Sequence, residues 1–449
     1  MSRCSNGLNL QAAPGQSWRV AACLLTGLWV SALLSGCDTS VTLLPSPPVA
    51  PDKVSPIAGS PVDHIVIIML ENRTFDNLFH GFPGADSAQS GLSNGVKIPL
   101  QPVSLSDSRD LDHSHLRWIQ DVNHGAMDGF AQSQFSPSTL PYSYVPESEI
   151  EPYWTMAREY VLGDRMFQSN TGPSYPSHQY LIAGQSAGVA ENPSGGWGCD
   201  AGSSSLAPLI GPNGTEVLPG LPPCFDYQTV ADLLDLKGVS WRYYAPDPDD
   251  SFYELSAYQA IRHIRYGSDW QTNVIYPDTR VLTDIAHGEL AQVTWIVPDL
   301  ENSDHPGSGT VDGPDWVASI VNAIGQSQFW NSTAIFVTWD DWGGWYDHVL
   351  PPRIDEMGFG FRVPLLVVSP WAKHGYVSHE VHEASGFIRF IEYDFNLGSL
   401  GQRDENADYF ADCFDFSQPS EPFVPIVAGT PSGDFTPRKS LRAVKARAC

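Results

Sequence analysis

Short, uninterrupted apolar runs recur along the chain, separated by longer stretches in which apolar residues follow helical spacing. A run that is apolar at every position indicates a strand buried on both faces, because a strand with one exposed face alternates polar and apolar residues. Strands that alternate with helices predict a parallel sheet covered by helices, which is an α/β fold. The predicted strands span residues 64–70, 239–245, 293–297, 334–338 and 363–368, and the predicted helices span residues 227–236, 314–324 and 386–397.

Acidic and amide side chains follow two of the predicted strands. Glu71 and Asn72 come directly after the first strand, and Asp340 and Asp341 come one residue after the fourth. Ligands of an open α/β sheet bind beyond the carboxyl ends of its strands, so we expect these four side chains to meet there. Crowded carboxylates repel unless a cation neutralises them, and an all-oxygen set favours Ca²⁺, Mg²⁺ or Mn²⁺ over Zn²⁺. The alternative is that these acids cap helices or face solvent.

A serine supplies the candidate nucleophile. Ser174 stands in the segment TGPSYPSHQY, where Pro176 predicts the start of a helix and leaves the serine just before it. The helix dipole and a metal ion would stabilise the alkoxide that a serine nucleophile needs. The alternative is an N-capping serine, which is common at such positions.

Three histidines lie in polar segments that we expect close to these acids: His113, His305 and His348. A histidine alone is weak evidence, since a hydrogen-bonded loop or core histidine explains it equally well. They become candidates for substrate contact only together with the acids and the serine.

The charge balance narrows the possible partners. The 449 residues include 51 acidic and 24 basic ones, giving a formal charge of −27, which argues against a nucleic-acid backbone as partner. Hydrophobic residues make up 42%, enough for a large core, and 39 glycines with 37 prolines indicate many long loops. From residue 61 to about residue 422 the sequence shows no internal repeat and no second linker, which predicts one elaborated domain over residues 61–449 with a loose C-terminal tail.

The N-terminal 36 residues have the features of an export signal. Arg3 and Arg19 supply positive charge before an apolar run, residues 20–34. This run is too short to span a membrane comfortably. The run ends in Leu-Ser-Gly-Cys, which resembles a bacterial lipobox and predicts a lipid anchor on Cys37, with an ordinary cleaved signal as the alternative. Residues 37–60 are rich in proline and predict an extended spacer.

The anchor sets the expected location of the mature protein. Asp38, directly after Cys37, resembles the signal that retains lipoproteins at the inner membrane of Gram-negative bacteria. We therefore expect an exported, membrane-anchored protein of the cell envelope, on the periplasmic side of the inner membrane in such a host.

Four cysteines remain after the signal and the anchor are set aside: Cys199, Cys224, Cys413 and Cys449. An oxidising compartment favours disulfides, and four cysteines allow three pairings. Local spacing favours Cys199 with Cys224 and Cys413 with Cys449. None has the spacing of a zinc ribbon.

Longer motifs give a family resemblance. The segments that carry it are IVIIMLENRTFDNLFHGF at residues 65–82, the serine segment, Asp304-His305-Pro306, TWDDWGGWYDHVLPP at 338–352 and GFRVPLLVVSP at 360–370. Together they resemble the bacterial phosphoesterase family of phospholipases C and a related acid phosphatase, over residues 65–422. The resemblance implies an alkaline-phosphatase-like three-layer sandwich with a central, mostly parallel sheet and long loop insertions.

The resemblance also implies roles for individual residues. One divalent metal ion would be held by Glu71, Asn72, Ser174, Asp340 and Asp341. Ser174 would be the nucleophile as well. His113 and His305 would be catalytic and would hold the phosphoryl group, and His348 would contact the substrate region. Phospholipase members often have threonine followed by Pro-Asn-Arg where this chain has Ser174 and Pro-Ser-His, which is closer to the phosphatase branch.

The sequence thus predicts an exported, metal-dependent hydrolase of small-molecule or lipid phosphate esters that acts through a phosphoserine. Two alternatives stay open. A metal-free serine hydrolase would lack the G-x-S-x-G turn around its serine, and a non-catalytic, lipid-anchored binding protein would leave the acidic residues at the strand ends unexplained. Four aromatic residues near Asp340 either cage a choline group by cation–π attraction or, as we favour, pack the loops: Trp339, Trp342, Trp345 and Tyr346.

Overall fold

A computed structural model describes residue 57 and residues 59–132, 139–214 and 217–429. The chain divides into the units Met1–Pro47 and Pro48–Cys449, and all described residues belong to the second. The predicted signal, the lipid anchor at Cys37 and most of the predicted spacer lie outside the described residues. Among the described residues, no helix has both the length and the apolar character to cross a bilayer.

Short strands and helices account for the regular structure of the described residues. The strands are β1 His64–Leu70, β2 Ser90–Ser93, β3 Val96–Pro99, β4 Gln101–Pro102, β5 Ser143–Tyr144, β6 Val161–Gly163, β7 Met166–Phe167, β8 Ala207–Ile210, β9 Val217–Leu221, β10 Trp241–Tyr244, β11 Val274–Ile275, β12 Val293–Ile296, β13 Thr333–Trp339, β14 Leu365–Val368, β15 Tyr376–Ser378 and β16 His382–Glu383. The α-helices are α1 Phe75–Leu78, α2 His115–Val122, α3 Glu151–Glu159, α4 Ser174–Ala183, α5 Val230–Lys237, α6 Arg262–Arg265, α7 Asp269–Thr272, α8 Arg280–Ala286, α9 Gly313–Gly325 and α10 Ser385–Asp394.

Eight strands form the central sheet in the order β11-β10-β12-β1-β13-β14-β6-β15. All of its pairings are parallel except those that β14 makes with β13 and β6. The predicted α/β fold with a mostly parallel sheet is confirmed. β14, within the predicted strand at residues 363–368, is the antiparallel member of this mostly parallel sheet. No helix lies between β13 and β14, and a parallel return needs a crossover connection that usually contains one.

Helices cover both faces of this sheet. Phe336 in β13 packs against Phe387 and Phe390 of α10, whereas Trp339, three residues later, packs against Tyr153 of α3. Side chains at odd spacing along a strand point to opposite faces, so α10 and α3 lie on opposite sides. The arrangement is three-layered.

The register of β1 and β13 places the candidate residues. These strands are parallel neighbours in the middle of the sheet, and Leu70 is opposite Trp339 at their carboxyl ends. The residues that follow Leu70 and Trp339 must therefore leave the sheet side by side. Both strands are buried almost throughout, so apolar packing on both faces fixes that register.

Helix α4 begins earlier than the sequence predicts. Its first residue is Ser174 and not Pro176, and Pro173 occupies the N-cap position. A proline in the first turn is tolerated because its missing N–H has no partner there. Pro176 is thus inside the first turn, and Ser174 is part of the helix.

The first predicted disulfide, Cys199–Cys224, is present. Cys413 is a buried free cysteine in the described residues. Its predicted partner Cys449 lies outside them, so that pairing stays a prediction.

Phe336→Ala should destabilise the protein by about 3–5 kcal/mol, because Phe336 is fully buried and its ring contacts four other aromatic rings, those of Phe387, Phe390, Phe410 and Phe414. Urea denaturation measures the change. Leu236→Ala on the outer face of α5, where the side chain is 77% exposed, should stay within about 0.5 kcal/mol of the parent. Equal losses in the two variants would contradict this account of the core.

Candidate active site

Two interlocked loops form the floor of the site. The Asn72 N–H donates to Asp340 Oδ1 at 3.1 Å, and the Asp341 N–H donates to the same oxygen at 2.7 Å. Asn72 has a positive φ of 62° and Gly343 a φ of 58°. A Cβ atom on Gly343 would lie 2.4 Å from the Asn72 carbonyl oxygen, so only glycine fits there. Close backbone approach therefore holds the two acidic segments against each other.

The Ser174 hydroxyl faces these acids from the first turn of α4. Its oxygen lies 3.1 Å from Glu71 Oε2 and 3.3 Å from Asp341 Oδ2. The hydroxyl has one proton and can donate to only one of them at a time. The structure thus brings Glu71, Asn72, Ser174, Asp340 and Asp341 together, whereas their roles in binding or catalysis stay predictions.

Burial makes the negative charges of this cluster costly. Burial and then the charge of Asp341 raise the pKa of Glu71 well above its usual value. Burial, followed by the charges of Asp341 and Glu71, does the same to the pKa of Asp340. A bound cation would offset this repulsion and return the carboxyl groups to their ionised form.

The polar atoms of the cluster fit a divalent cation. Among the described residues, the buried Asp340 Oδ2 has no hydrogen-bond partner. One end of the Asn72 carboxamide lies 3.0 Å from Asp340 Oδ1 and 2.7 Å from Glu71 Oε2. When this end is the NH₂ group, it donates to both carboxylates. When it is the amide oxygen, it faces two carboxylate oxygens, and a cation is required between the three oxygen atoms. The residues present therefore suit a hard metal ion.

His178 completes the cluster and was missed from the sequence. Its Nε2 lies 2.9 Å from Glu71 Oε1 and 3.9 Å from Asp340 Oδ2. Burial lowers the pKa of His178, so the ring is neutral. Glu71, His178 and Asp340 form one of the groups able to hold a metal ion. The signal that could have found it is the spacing of four from Ser174, which puts both side chains on one helix face.

His113 lies beside the metal-ligand candidates. Its Nε2 is 3.1 Å from the Asn72 amide and 4.0 Å from Asp341 Oδ2, and its Nδ1 pairs with the Leu111 carbonyl oxygen at 2.7 Å. Burial lowers the pKa of His113, but the charges of Asp341 and Asp110 outweigh it and raise the pKa to about 9. With no cation bound, the ring is therefore positively charged near neutral pH and suits an anion.

His305 is neutral, in contrast to His113. Burial, followed by the positive charges of His113 and Arg73, lowers its pKa to about 3. Its Nδ1 accepts from the Gly307 N–H at 3.0 Å. No hydrogen bond to a described residue occupies Nε2, and the ring meets Phe252 edge-on.

Arg73, a second residue missed from the sequence, ties the His305 loop to the metal-ligand loop. Its Nε and Nη2 donate to the Asp304 carbonyl oxygen at 2.9 and 2.8 Å. The neighbouring Glu71 N–H donates to the Ser303 carbonyl oxygen at 2.8 Å. Both contacts join segments more than 200 residues apart, so no local pattern in the sequence could have indicated them.

His348 lies in a different cluster. Its Nδ1 is 2.7 Å from Asp76 Oδ2 and its Nε2 is 3.0 Å from Asp86 Oδ1. The buried Arg362 guanidinium pairs with Asp347 alongside. Both ring nitrogens are thus engaged, and this arrangement stabilises the loop. The substrate role of His348 stays a prediction that these contacts do not support.

The aromatic residues near Asp340 are core residues. Trp339, Trp342, Trp345 and Tyr346 are all buried, and Tyr346 stacks on Tyr142. The interpretation that they pack loops fits better than an open choline cage.

A model of the Phosphoesterase family matches residues 62–398, three quarters of the chain. The chain belongs to this family.

Curated relatives are phospholipases C. The chain is 26% identical to the non-hemolytic phospholipase C of Burkholderia pseudomallei, over 75% of this chain and 55% of that protein. It is 26% identical to the non-specific phospholipase C6 of Arabidopsis thaliana, over 79% and 72%, and 25% identical to phospholipase C B of Mycobacterium tuberculosis, over 81% and 80%. The chain spans about half the length of the first curated relatives it matches.

Solved structures give a distant overlap. A protein in the alkaline phosphatase superfamily from Vibrio parahaemolyticus is 8% identical, with a TM-score of 0.40 over 81% of this chain and 76% of that chain. The phosphonate monoester hydrolase of Silicibacter pomeroyi is 12% identical, with a TM-score of 0.33 over 57% and 70%.

Mn²⁺ or Ca²⁺ added to chelator-treated protein should raise the melting temperature, because a cation relieves the repulsion among the buried carboxylates. Asp340→Asn should reduce this shift strongly, since it removes a ligand with an unpartnered oxygen. Asp415→Asn, a change at an exposed carboxylate, should leave the shift intact. Differential scanning fluorimetry measures it. An equal shift in the parent and the Asp340 variant would contradict the placement of the metal.

Proposed function

We propose that this chain is a metal-dependent phosphoester hydrolase in which Ser174 becomes transiently phosphorylated. The observation that carries the proposal is the contact of the Ser174 hydroxyl with Glu71 and Asp341 at the first turn of a helix. His113 Nε2 lies 4.0 Å from the same Asp341 oxygen that Ser174 contacts. A serine that merely caps a helix has no need of two buried carboxylates. Membership of the Phosphoesterase family supports the reaction class.

The oxygen cluster would hold the metal through Glu71, Asn72, Asp340, Asp341 and Ser174, with His178 adjacent. When bound, the metal supplies positive charge that favours the ionised serine and offsets charge on the phosphoryl oxygens. The proposed metal is Ca²⁺, Mg²⁺ or Mn²⁺, because carboxylate and amide oxygens favour these ions.

In the first step, Ser174 Oγ forms a bond to phosphorus while the bond from phosphorus to the ester oxygen breaks. The hydroxyl proton passes to Glu71 or Asp341, the carboxylates that its oxygen contacts. His113 binds the phosphoryl oxygens and gives its Nε2 proton to the departing alkoxide. The alcohol leaves and a phosphoserine remains.

In the second step, water attacks the phosphoserine and restores the serine. His305 suits the role of base, because its ring is neutral and its Nε2 has no hydrogen bond to a described residue. The hydrogen bonds of Arg73 to the Asp304 carbonyl oxygen, which tie the residue before His305 to the metal-ligand loop, support this role. Water loses one proton to the imidazole as its oxygen bonds to phosphorus, and the bond from phosphorus to Ser174 Oγ breaks. Ser174 Oγ takes back the proton held by Glu71 or Asp341, and phosphate is released.

The substrate and the location are further parts of the proposal. Several relatives are named phospholipase C, while Ser174 and His178 stand where phospholipase members often have threonine and arginine. This difference favours phosphate monoesters over phospholipids. The proposed location is the cell envelope, with membrane attachment through Cys37.

Ser174→Ala should lower turnover of an aryl phosphate by about 10³-fold or more, since it removes the attacking atom. Ser186→Ala, at another buried serine whose hydroxyl donates to the Val189 carbonyl oxygen and contacts none of the proposed metal ligands, should keep parental turnover. Acid quenching during turnover should trap a phosphoryl group on the peptide that contains Ser174, detected by mass spectrometry. Parental turnover by the Ser174 variant would refute the nucleophile assignment.

An aryl phosphate monoester should be hydrolysed faster than a phosphocholine ester or a sulfate ester when all three are assayed at the same concentration. The physical reason is that a monoester presents more anionic oxygens to the metal and to His113. Release of the chromophore gives kcat/KM for each. A higher kcat/KM for the phosphocholine ester would move the proposal to the phospholipase branch, and hydrolysis of the sulfate ester alone would refute a phosphoesterase.

A further inference from the structure

A second group of metal-ligating side chains lies outside the proposed active site. We call it the C-terminal cluster, and it consists of Ser378 at the end of β15, His382 in β16, Asp412 and Cys413. None of these residues has a role in the proposed hydrolysis. The cluster joins the β15–β16 segment to a stretch of chain about 30 residues further on.

Two ligand–ligand distances within the C-terminal cluster match the edges of a tetrahedral zinc site. Asp412 Oδ1 lies 3.5 Å from His382 Nε2 and 3.6 Å from Cys413 Sγ. Bonds of about 2.3 Å to sulfur and about 2.0–2.1 Å to nitrogen and oxygen give ligand–ligand edges of roughly 3.3–3.6 Å at tetrahedral angles. One ligand atom from each of the three residues lies within 4.8 Å of the others.

His382 makes the hydrogen bond to a carboxylate that is typical of zinc-binding histidines. His382 Nδ1 lies 2.7 Å from Asp408 Oδ1, so a proton on Nδ1 is donated to that carboxylate. This leaves the lone pair of Nε2 directed at the cluster. A carboxylate on the second ring nitrogen fixes the tautomer and the ring orientation of metal-binding histidines.

The Ser378 hydroxyl cannot donate to both of its neighbours in the cluster at once. The single proton of the Ser378 hydroxyl is placed between Asp412 Oδ2 at 2.5 Å and His382 Nε2 at 3.0 Å. If it goes to the closer Asp412 oxygen, Nε2 faces only lone pairs of oxygen. Either a second proton on His382 or a metal ion must then fill the gap.

Exposure permits a metal ion to enter. His382 and Cys413 are fully buried, whereas the Asp412 side chain is 20% exposed. Asp412 therefore offers an entry path to an otherwise closed site, which a binding site for a metal requires.

We propose that the C-terminal cluster binds Zn²⁺ through His382 Nε2, an Asp412 carboxylate oxygen and the Cys413 thiolate, with the Ser378 hydroxyl or water as the fourth ligand. The thiol proton is released to solvent as the zinc–sulfur bond forms. Nitrogen and thiolate ligands favour zinc over the hard cations that suit the oxygen cluster around Ser174. The ion cross-links the β15–β16 segment to the stretch around Cys413, and its role is structural.

Co²⁺ added to the metal-free full-length chain gives a direct test. We expect a thiolate-to-cobalt charge-transfer band at one equivalent, and Zn²⁺ should abolish the band by displacement. Cys413→Ser should remove the band, whereas Asp340→Asn, in the proposed active site, should keep it. His379→Asn is the control for a nearby histidine that is exposed and pairs with Asp164 instead, and it should keep the band as well.

Alkylation of the parent protein keeps the test independent of how the Cys413 variant folds. Zn²⁺ should slow alkylation of the Cys413 thiol in the native chain at least tenfold, and a chelator should restore the rate. Absence of a charge-transfer band would overturn the proposal, as would a band that persists in Cys413→Ser. A disulfide between Cys413 and Cys449 in the purified chain, found by peptide mapping, would overturn it too, because that bond consumes the thiol.

Discussion

The parallel pairing of β1 with β13 is the constraint on which the candidate site depends. It forces two acidic segments out of the sheet at neighbouring points, with Leu70 opposite Trp339 as the last pair. Both strands are buried, so apolar packing of the whole sheet holds the acids together against their repulsion. Burial, followed by this enforced proximity of the carboxylates, raises the pKa of Glu71 and that of Asp340. A cation is the simple means of offsetting this repulsion.

The loops around the site limit its freedom to rearrange. Asn72 adopts a left-handed conformation, and Gly343 leaves room for the Asn72 carbonyl oxygen. Arg73 fixes the Asp304 carbonyl oxygen with two hydrogen bonds, which places His305 relative to the same loop. Positive φ at non-glycine residues is costly and persists where the surroundings enforce it. The site is therefore preorganised by backbone interlocking as well as by side chains.

Strand ends were predictable from the sequence because unbroken apolar runs mark buried strands, and the polar residues after them must reach one sheet edge. Glu71, Asn72, Asp340 and Asp341 follow from that rule. Contacts between distant segments do not, which is why the tie from Arg73 to the His305 loop was missed. The early start of α4 was mispredicted because a proline inside a first turn leaves a weak sequence signal. The sequence did not indicate which strand of the mostly parallel sheet runs antiparallel, because the loop before β14 carries no distinctive pattern. His178 was accessible through its helical spacing from Ser174, but only once the helix start was known.

The overall charge of −27 opposes an anionic substrate. Charges more than about 8–10 Å from a bound phosphate are largely screened at physiological salt, so the acidic surface mainly affects the approach of the substrate. Binding must then come from positive charge close to phosphorus. For the proposed phosphoester substrate, His113 and a cation among the carboxylates would supply this charge, and burial of the site would strengthen their attraction for phosphate. Under the proposed function, the same buried carboxylates that repel phosphate would become its binding site only when they hold a metal ion.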